Sequence, residues 1–411
     1  MKLFFWTENT QKTYEDLIDD INKTRKLKRY IKEKEPYEIY KNLIVSILAC
    51  ENVVLLDSDF SNEEILNLGI SIENLEEEVA VEEISVSSFE EMLRLIETCG
   101  KNWQVTLYTS GTTGRPKKVS HNLETLTRGV KIGERFKDNI WAFAYNPTHF
   151  AGLQVFFQAF YNENPMIYIF EMDRKKIEET LRKFKVTNIS ATPTYYRSII
   201  PYFKNQVISV ERITMGGEKF DSSLEKELLK IFPNTKIRNV YASTEAGSLF
   251  AAEGDIFKIN PEMADKIKIS EDNELLIHKS LLGYSYDFQL DGEWYRTGDI
   301  VEKIDENHFR FFARKTEMIN IGGYKVNPHE VENEIKKIDG VIDAVVKARK
   351  NKITGNILIA EIKVKDGTNV ENKEKEIITI LSEKLQNWKV PRILNFVEEI
   401  ETTKTSKKMR R

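Results

Sequence analysis

The stretch Leu107 to His121, LYTSGTTGRPKKVSH, runs from a β-like segment into a turn made of Ser110, Gly111, Thr112, Thr113 and Gly114, with Lys117 behind it. Small residues let a backbone approach an anion closely. Main-chain N–H groups and hydroxyls can then surround phosphate oxygens while a lysine neutralises charge. The spacing differs from the G-x-x-x-x-G-K-[ST] loop of kinases and ATPases. On composition alone, a plain Ser/Thr/Gly turn explains the stretch equally well. Further candidates are Glu245 in NVYASTEAG, Asp299 in WYRTGD, His149 in NPTHFAG and the basic tail TTKTSKKMRR. Taken singly, these read as a surface glutamate, a hairpin-turn aspartate, a structural histidine and a solvated tail.

The elements around these residues indicate an α/β protein. From Val105 to Tyr241, strand-like runs (VTLY, NIWAFAY, PMIYIF, VTNISAT, VERITM, KIRNVY) alternate with amphipathic helices such as DRKKIEETLRKF and DSSLEKELLKIF. That alternation predicts a large N-terminal domain of parallel-rich sheets layered with helices. After Asn273, ELLIHK, EWYRTGDIVEKI and HFRFFARK read as antiparallel strands of a β-rich subdomain. A small α+β unit follows, with the boundary placed at Ala313 to Glu317: an N-terminal domain over 1–312, a hinge over 313–317 and a mobile C-terminal domain over 318–411. The helix after Asn327 has its own start signal: Asn327 as N-cap, Pro328 in the first position and Glu330 placed to reach back to the cap.

Composition sets limits. A chain of 411 residues with 61 basic and 65 acidic side chains, net charge −4, lacks the basic balance of a broad nucleic-acid-binding surface. The acidic run ENLEEEVAVEE reads as a solvated face. Two cysteines, Cys50 and Cys99, suit a reducing compartment and provide no disulfide framework. The N-terminus MKLFFWTENT is too short in apolar residues for a signal core. NLIVSILACENVVLLD is broken by Glu51 and Asn52, short of the about 20 apolar residues a membrane span needs. The expectation is a soluble, cytoplasmic protein.

The loop closely resembles the phosphate-binding signature of the acyl-adenylating superfamily, which includes acyl- and aryl-CoA synthetases, adenylation domains of nonribosomal peptide synthetases and luciferases. Five further stretches match in the family's order and spacing. The resemblance implies a nucleotide site of Thr109 to Gly114 and Lys117, Gly217, Glu218, Tyr241 on the adenine, Ala242, Ser243, Thr244 at the α-phosphate, and Asp299 and Arg314 at the ribose. It gives Glu245, with Thr112, to Mg²⁺. Asn146, His149, Phe150, Met215, Gly216 and Phe250 fall on the acid pocket, Gly322 and Gly323 on the loop facing the thiol, and Thr316 on the hinge. The family's terminal motif falls on Glu401 to Arg410 and marks Lys407 as the catalytic lysine, beside Glu245, Thr244 and His149. Departures are Ala242 for a glycine, Ala313 and Thr316 for the hinge glycine and aspartate, and Ser406 for a glycine.

The implied reaction is ATP-dependent activation of a carboxylic acid to acyl-AMP with release of pyrophosphate, then transfer to CoA or to the phosphopantetheine of a carrier protein. The short segment before the loop resembles compact, free-standing ligases, and the pocket residues suit a small aryl or hydroxylated acid. A relative that binds nucleotide but has lost the thiol step remains open, as does, more remotely, an unrelated NTPase.

Overall fold

The structure, a computed structural model, describes residues 1–109, 117–321, 324–351 and 355–402. The chain forms two compact units, Met1–Ile267 with Ile277–Tyr295, and Lys268–Leu276 with Arg296–Arg411. The class is mixed α/β.

In the first unit an eight-stranded sheet has a parallel interior flanked by antiparallel edge strands. Strands Trp141–Phe143, Met166–Tyr168 and Asn188–Ala191 are buried throughout, as interior parallel strands require. Trp141–Phe143 is shorter than the apolar run that announces it, because the chain leaves the strand after Phe143. Helices Arg174–Lys183, Pro193–Ile199 and Ser222–Ile231 provide the crossovers, each with a side-chain cap, from Asp173, Thr192 and Asp221 respectively. Under the sheet, Phe4, Phe5, Tyr40, Phe143, Phe156 and Phe160 form an aromatic core. Tyr40 stacks flat on Phe156, with centroids 4.2 Å apart.

A four-stranded sheet in the same unit runs Tyr30–Ile31, Val53–Leu55, Gln104–Thr109, Lys117–Asn122. The last two strands form a hairpin whose end pair is Thr109 with Lys117. The expected phosphate-loop residues Ser110, Gly111, Thr112, Thr113 and Gly114 lie outside the described residues, as do Gly322, Gly323 and Lys407. The acidic run is mostly exposed, and strand pairing sets it beside a basic one: Glu76 meets Lys28 at 2.7 Å and Glu78 meets Lys26 at 2.8 Å.

Strand Trp294–Lys303, which belongs to the second unit from Arg296 on, forms an antiparallel hairpin with His308–Arg314. Helices Pro328–Lys336 and Val370–Lys384 share a core, including Val331, Ile335, Ile377 and Leu381, with the sheet Val341–Asn351, Gly355–Val364 and Ile393–Phe396. Asn327 caps its helix by accepting from the His329 N–H at 3.0 Å. The reach of Glu330 back to the cap is not made. Its carboxylate takes Lys389 Nζ at 2.7 and 2.8 Å instead, since a charged donor outcompetes a neutral N–H.

Phe156→Ala is expected to cost about 3–5 kcal/mol, because the face of Tyr40 loses its partner. Equilibrium denaturation would show this as a lower midpoint with an unchanged slope.

Candidate active site

The polar residues of interest in the first unit gather at strand ends. Strands Arg212–Gly216 and Lys236–Ser243 run parallel, pairing Met215 with Asn239 and Gly216 with Val240. The carboxyl ends of parallel strands leave a crevice in which open α/β sheets bind ligands. Met215 is fully buried, so it backs this edge. Gly217 takes φ +82°, which its lack of a Cβ permits. Glu218 accepts from the Thr194 hydroxyl at 2.9 Å.

Strand Lys236–Ser243 shifts register between Tyr241 and Ala242 where it pairs with Gly247–Ala252. Tyr241 lies opposite Phe250, with ring centroids 5.8 Å apart, and Phe257 is 6.4 Å from Tyr241. Phe250, expected at the acid pocket, is thus packed against the tyrosine expected at adenine. The turn that follows is held at three points. Ser243 Oγ accepts the Ala246 N–H at 3.1 Å, the Glu245 carbonyl accepts the Gly283 N–H at 2.8 Å, and the Thr244 carbonyl lies 2.7 Å from His121 Nε2.

His121 is buried, in the strand that returns from the candidate phosphate loop. A carbonyl can only accept, so Nε2 carries the proton. Nδ1 lies 3.2 Å from the Thr125 hydroxyl, which also donates to the Asn122 carbonyl at 3.0 Å. Burial pushes this imidazole down to about 4, and Arg128 acts in the same direction, against the pull of the carbonyl bond. Gly283 packs so closely that a Cβ there would lie 2.6 Å from the His121 ring and 2.8 Å from the Ser120 carbonyl oxygen. Only glycine fits.

A second cluster forms around Asp57, just beyond strand Val53–Leu55. Its buried carboxylate accepts from Asn146 Nδ2 at 3.2 Å, from the Thr148 hydroxyl, and from His149 Nε2 at 3.0 Å to each oxygen. Asn146 and His149 are therefore brought together. His149 heads helix Phe150–Phe160 without a side-chain cap bond. Phe150 lies 5.0 Å from the His121 ring and against Gly247, where a Cβ would meet it at 3.0 Å. Sequence reasoning gave no role to Asp57 or His121. The available signals were a carboxylate ending the apolar run VVLLD and a histidine closing the loop motif.

In the second unit Asp299 and Arg314 pair across the hairpin, and Arg314 Nε donates to Asp299 Oδ1 at 2.8 Å. Asp299 is 4% exposed. Gly298, at φ +76°, donates its N–H to the Glu274 carboxylate at 2.9 Å. Arg296 and Lys315 hold that carboxylate and Asp272, whose pKa is lowered by bonds from Ser270, Lys315 and Arg296. Thr316 lies in the short 3-10 helix Lys315–Glu317. Among the described residues no cluster of three or more His, Cys, Asp or Glu is arranged to hold a metal. No described helix is long and apolar enough to cross a membrane.

The His121 pKa sets a pH dependence. An unfolded histidine titrates near 6.5, so between about 6.5 and 4 the unfolded chain binds more proton than the folded one. This contribution, about 3 kcal/mol, is complete above pH 6.5 and disappears as pH falls towards 4. Urea unfolding of wild type and His121→Gln should differ most near neutral pH and converge in acid. Parallel stability curves would count against the buried neutral imidazole.

Two family models match the chain: AMP-binding enzyme over residues 47–270, and AMP-binding enzyme C-terminal domain over residues 330–407. A 2-succinylbenzoate–CoA ligase of Staphylococcus aureus is 25% identical over 326 residues, 74% of this chain and 65% of the ligase. Bacitracin synthase 3 of Bacillus licheniformis is 24% identical over 345 residues, 73% of this chain and 5% of the synthase. The aligned region thus spans less than two thirds of these relatives. Among solved structures, the o-succinylbenzoate CoA synthetase of Bacillus subtilis with its acyl-adenylate superposes at TM-score 0.74, with 19% identity, over 100% of this chain and 94% of that one. An anthranilate CoA ligase with anthranoyl-AMP gives TM-score 0.77 at 17% identity, over 99% and 92%. These likenesses establish a shared fold. With a single family model matched over more than half of its length, the chain belongs to the AMP-binding enzyme family.

Proposed function

We propose that the protein is an acid–thiol ligase. It activates a carboxylic acid with ATP, releasing pyrophosphate, and passes the acyl group from acyl-AMP to a thiol. The observation that carries this reading is the hydrogen bond from His121 to Thr244, which ties the hairpin bearing the candidate phosphate loop to the turn bearing Thr244 and Glu245. Membership of the AMP-binding enzyme family supports reading that turn as a nucleotide site.

The first step brings a carboxylate to the α-phosphate of ATP, so positioning and charge neutralisation supply the catalysis. Thr109 to Gly114 and Lys117 hold the phosphates. Tyr241, backed by Phe250 and Phe257, takes the adenine with Gly217, Glu218, Ala242 and Ser243. Asp299, oriented by Arg314, takes the ribose. Thr244 meets the α-phosphate. The Glu245 carboxylate suits a hard cation: its contact among the described residues is the Tyr295 hydroxyl, at 3.5 Å, rather than a cationic side chain. Glu245 and Thr112 would hold Mg²⁺ together with phosphate oxygens, and the ion supplies charge neutralisation there.

Lys407 takes the catalytic lysine's place in the first step. The 318–411 domain then turns about the 313–317 hinge at Thr316, carrying Lys407 away and bringing Gly322 and Gly323 to the thiol, a hinge change of ordinary kind. The thiol is the phosphopantetheine arm of CoA or of a carrier protein, and the acid is a small aryl or hydroxylated one. Two free cysteines support a cytoplasmic setting.

Lys407→Ala should lower ATP–pyrophosphate exchange by more than about tenfold, at least 1.4 kcal/mol. Thioester formation from preformed acyl-AMP should remain largely intact. Equal loss of both half-reactions would refute the assignment of Lys407. Running exchange over a panel of acids, with CoA and with carrier proteins as acceptors, identifies both substrates.

A further inference from the structure

Around Asp57, three side chains that could face a substrate are already committed to one buried carboxylate. Asn146 gives Nδ2 to Asp57 and uses Oδ1 to accept the Thr148 N–H at 2.9 Å and the Thr148 hydroxyl at 2.8 Å. The single Thr148 hydroxyl proton is shared between Asn146 Oδ1 and the Asp57 carboxylate, both acceptors. Asn146 is therefore a strut that ties Asp57 to Thr148. His149 differs. Its side chain is 23% exposed while that of Asp57 is 8% exposed, so the imidazole leads outward from the buried carboxylate.

The imidazole is held at one end only. Nε2 sits 3.0 Å from both Asp57 oxygens. Carboxylate oxygens accept, so Nε2 carries a proton in the neutral ring. Nδ1 makes no hydrogen bond to a described residue, and the ring forgoes capping its own helix, a bond a cap residue normally makes at gain to the helix. The ring is turned to Asp57 at the helix's expense, and the nitrogen it leaves over is an acceptor. The surroundings fit a pocket wall. Tyr145 Oη lies 3.8 Å from where a Cβ on Gly216 would be, and Phe150 packs on Gly247, two residues after Glu245.

We propose that Asp57 is a positioning residue for acid selection: it holds His149 in the Nε2–H tautomer, so that Nδ1 accepts a hydrogen bond from a hydroxyl or amino group carried by the substrate acid. The inference rests on the acid-activating reading. It deepens that reading by naming the class of acid, one bearing a hydrogen-bond donor near its carboxylate. A site that hydrogen-bonds a substrate group rejects analogues lacking it, because the protein partner is then left unpaired.

The experiment uses the full chain and its Asp57→Asn, His149→Phe and doubly substituted variants. Exchange is driven by benzoate, 2-hydroxybenzoate, 2-aminobenzoate, and matched aliphatic acids with and without a hydroxyl. Wild type should favour the donor-bearing member of a pair by about tenfold or more in kcat/KM. Either single substitution should remove most of that preference through the acid KM, leave the ATP KM within about twofold, and the two effects should not add. A preference that survives Asp57→Asn, additive effects, or an equal rise in the ATP KM would overturn the proposal. Two-bond ¹H–¹⁵N spectra of the imidazoles, with His149 assigned from its variant, read the tautomer without turnover. Nε2–H in wild type and a mixture in Asp57→Asn support the proposal, and Nδ1–H in wild type overturns it. If no acid supports exchange in wild type, the acid-activating reading fails, and the selection role falls with it, while the spectra still report whether Asp57 sets the tautomer.

Discussion

The first unit depends on one hydrogen bond between residues far apart in the chain, from His121 Nε2 to the Thr244 carbonyl. It is short, part-buried and directional, so it fixes both partners. A carbonyl turned away from the strand ladders at a tight turn needs a donor. The imidazole supplies one at the cost of remaining uncharged in an apolar setting. Main-chain bonds complete the tie: Ser120 and Tyr284 exchange N–H and carbonyl at 2.8 and 2.7 Å, and Gly283 reaches the Glu245 carbonyl. Three stretches of chain are thus laced together at the turn that bears Thr244 and Glu245.

The same logic of committed polar groups recurs elsewhere. Asp57 gathers Asn146, Thr148 and His149. Glu274 gathers Arg296, Lys315 and the Gly298 N–H. In each case a carboxylate under 9% exposed is made tolerable by several donors at once, and those donors hold the residues beside them in place. The parallel sheet supplies rigid strands, while these carboxylates set the loops at the strand ends.

Much of this was legible from sequence. Alternating strand and helix texture gave the α/β class, and Asn327–Pro328 announced a helix start that the structure contains. Long-range pairing was not legible. Nothing near Glu330 reveals that Lys389 will take its carboxylate, and nothing near His149 reveals Asp57, because both partners arrive through tertiary packing. Phe250 illustrates the same limit. It was expected at the acid pocket, and that strand register would set it opposite Tyr241 could not be read from the residue, because register is a property of the pairing. His121 could be read only as the end of a motif, since its value lies in the carbonyl it faces.

Lys315 connects two of these features. It adjoins both Arg314, which orients Asp299, and Thr316, the proposed pivot, and its ammonium rests on Asp272 at 3.1 Å and Glu274 at 3.4 Å. The lysine side chain is half exposed, so each ion pair contributes only about 0–1 kcal/mol. Such a tether behaves as a detent. It keeps the backbone beside the pivot in register at rest and yields to thermal motion without a large barrier, and its grip weakens as salt screens it. For the proposed pivot, ionic strength would then weaken this tether without touching the residues proposed to bind substrates.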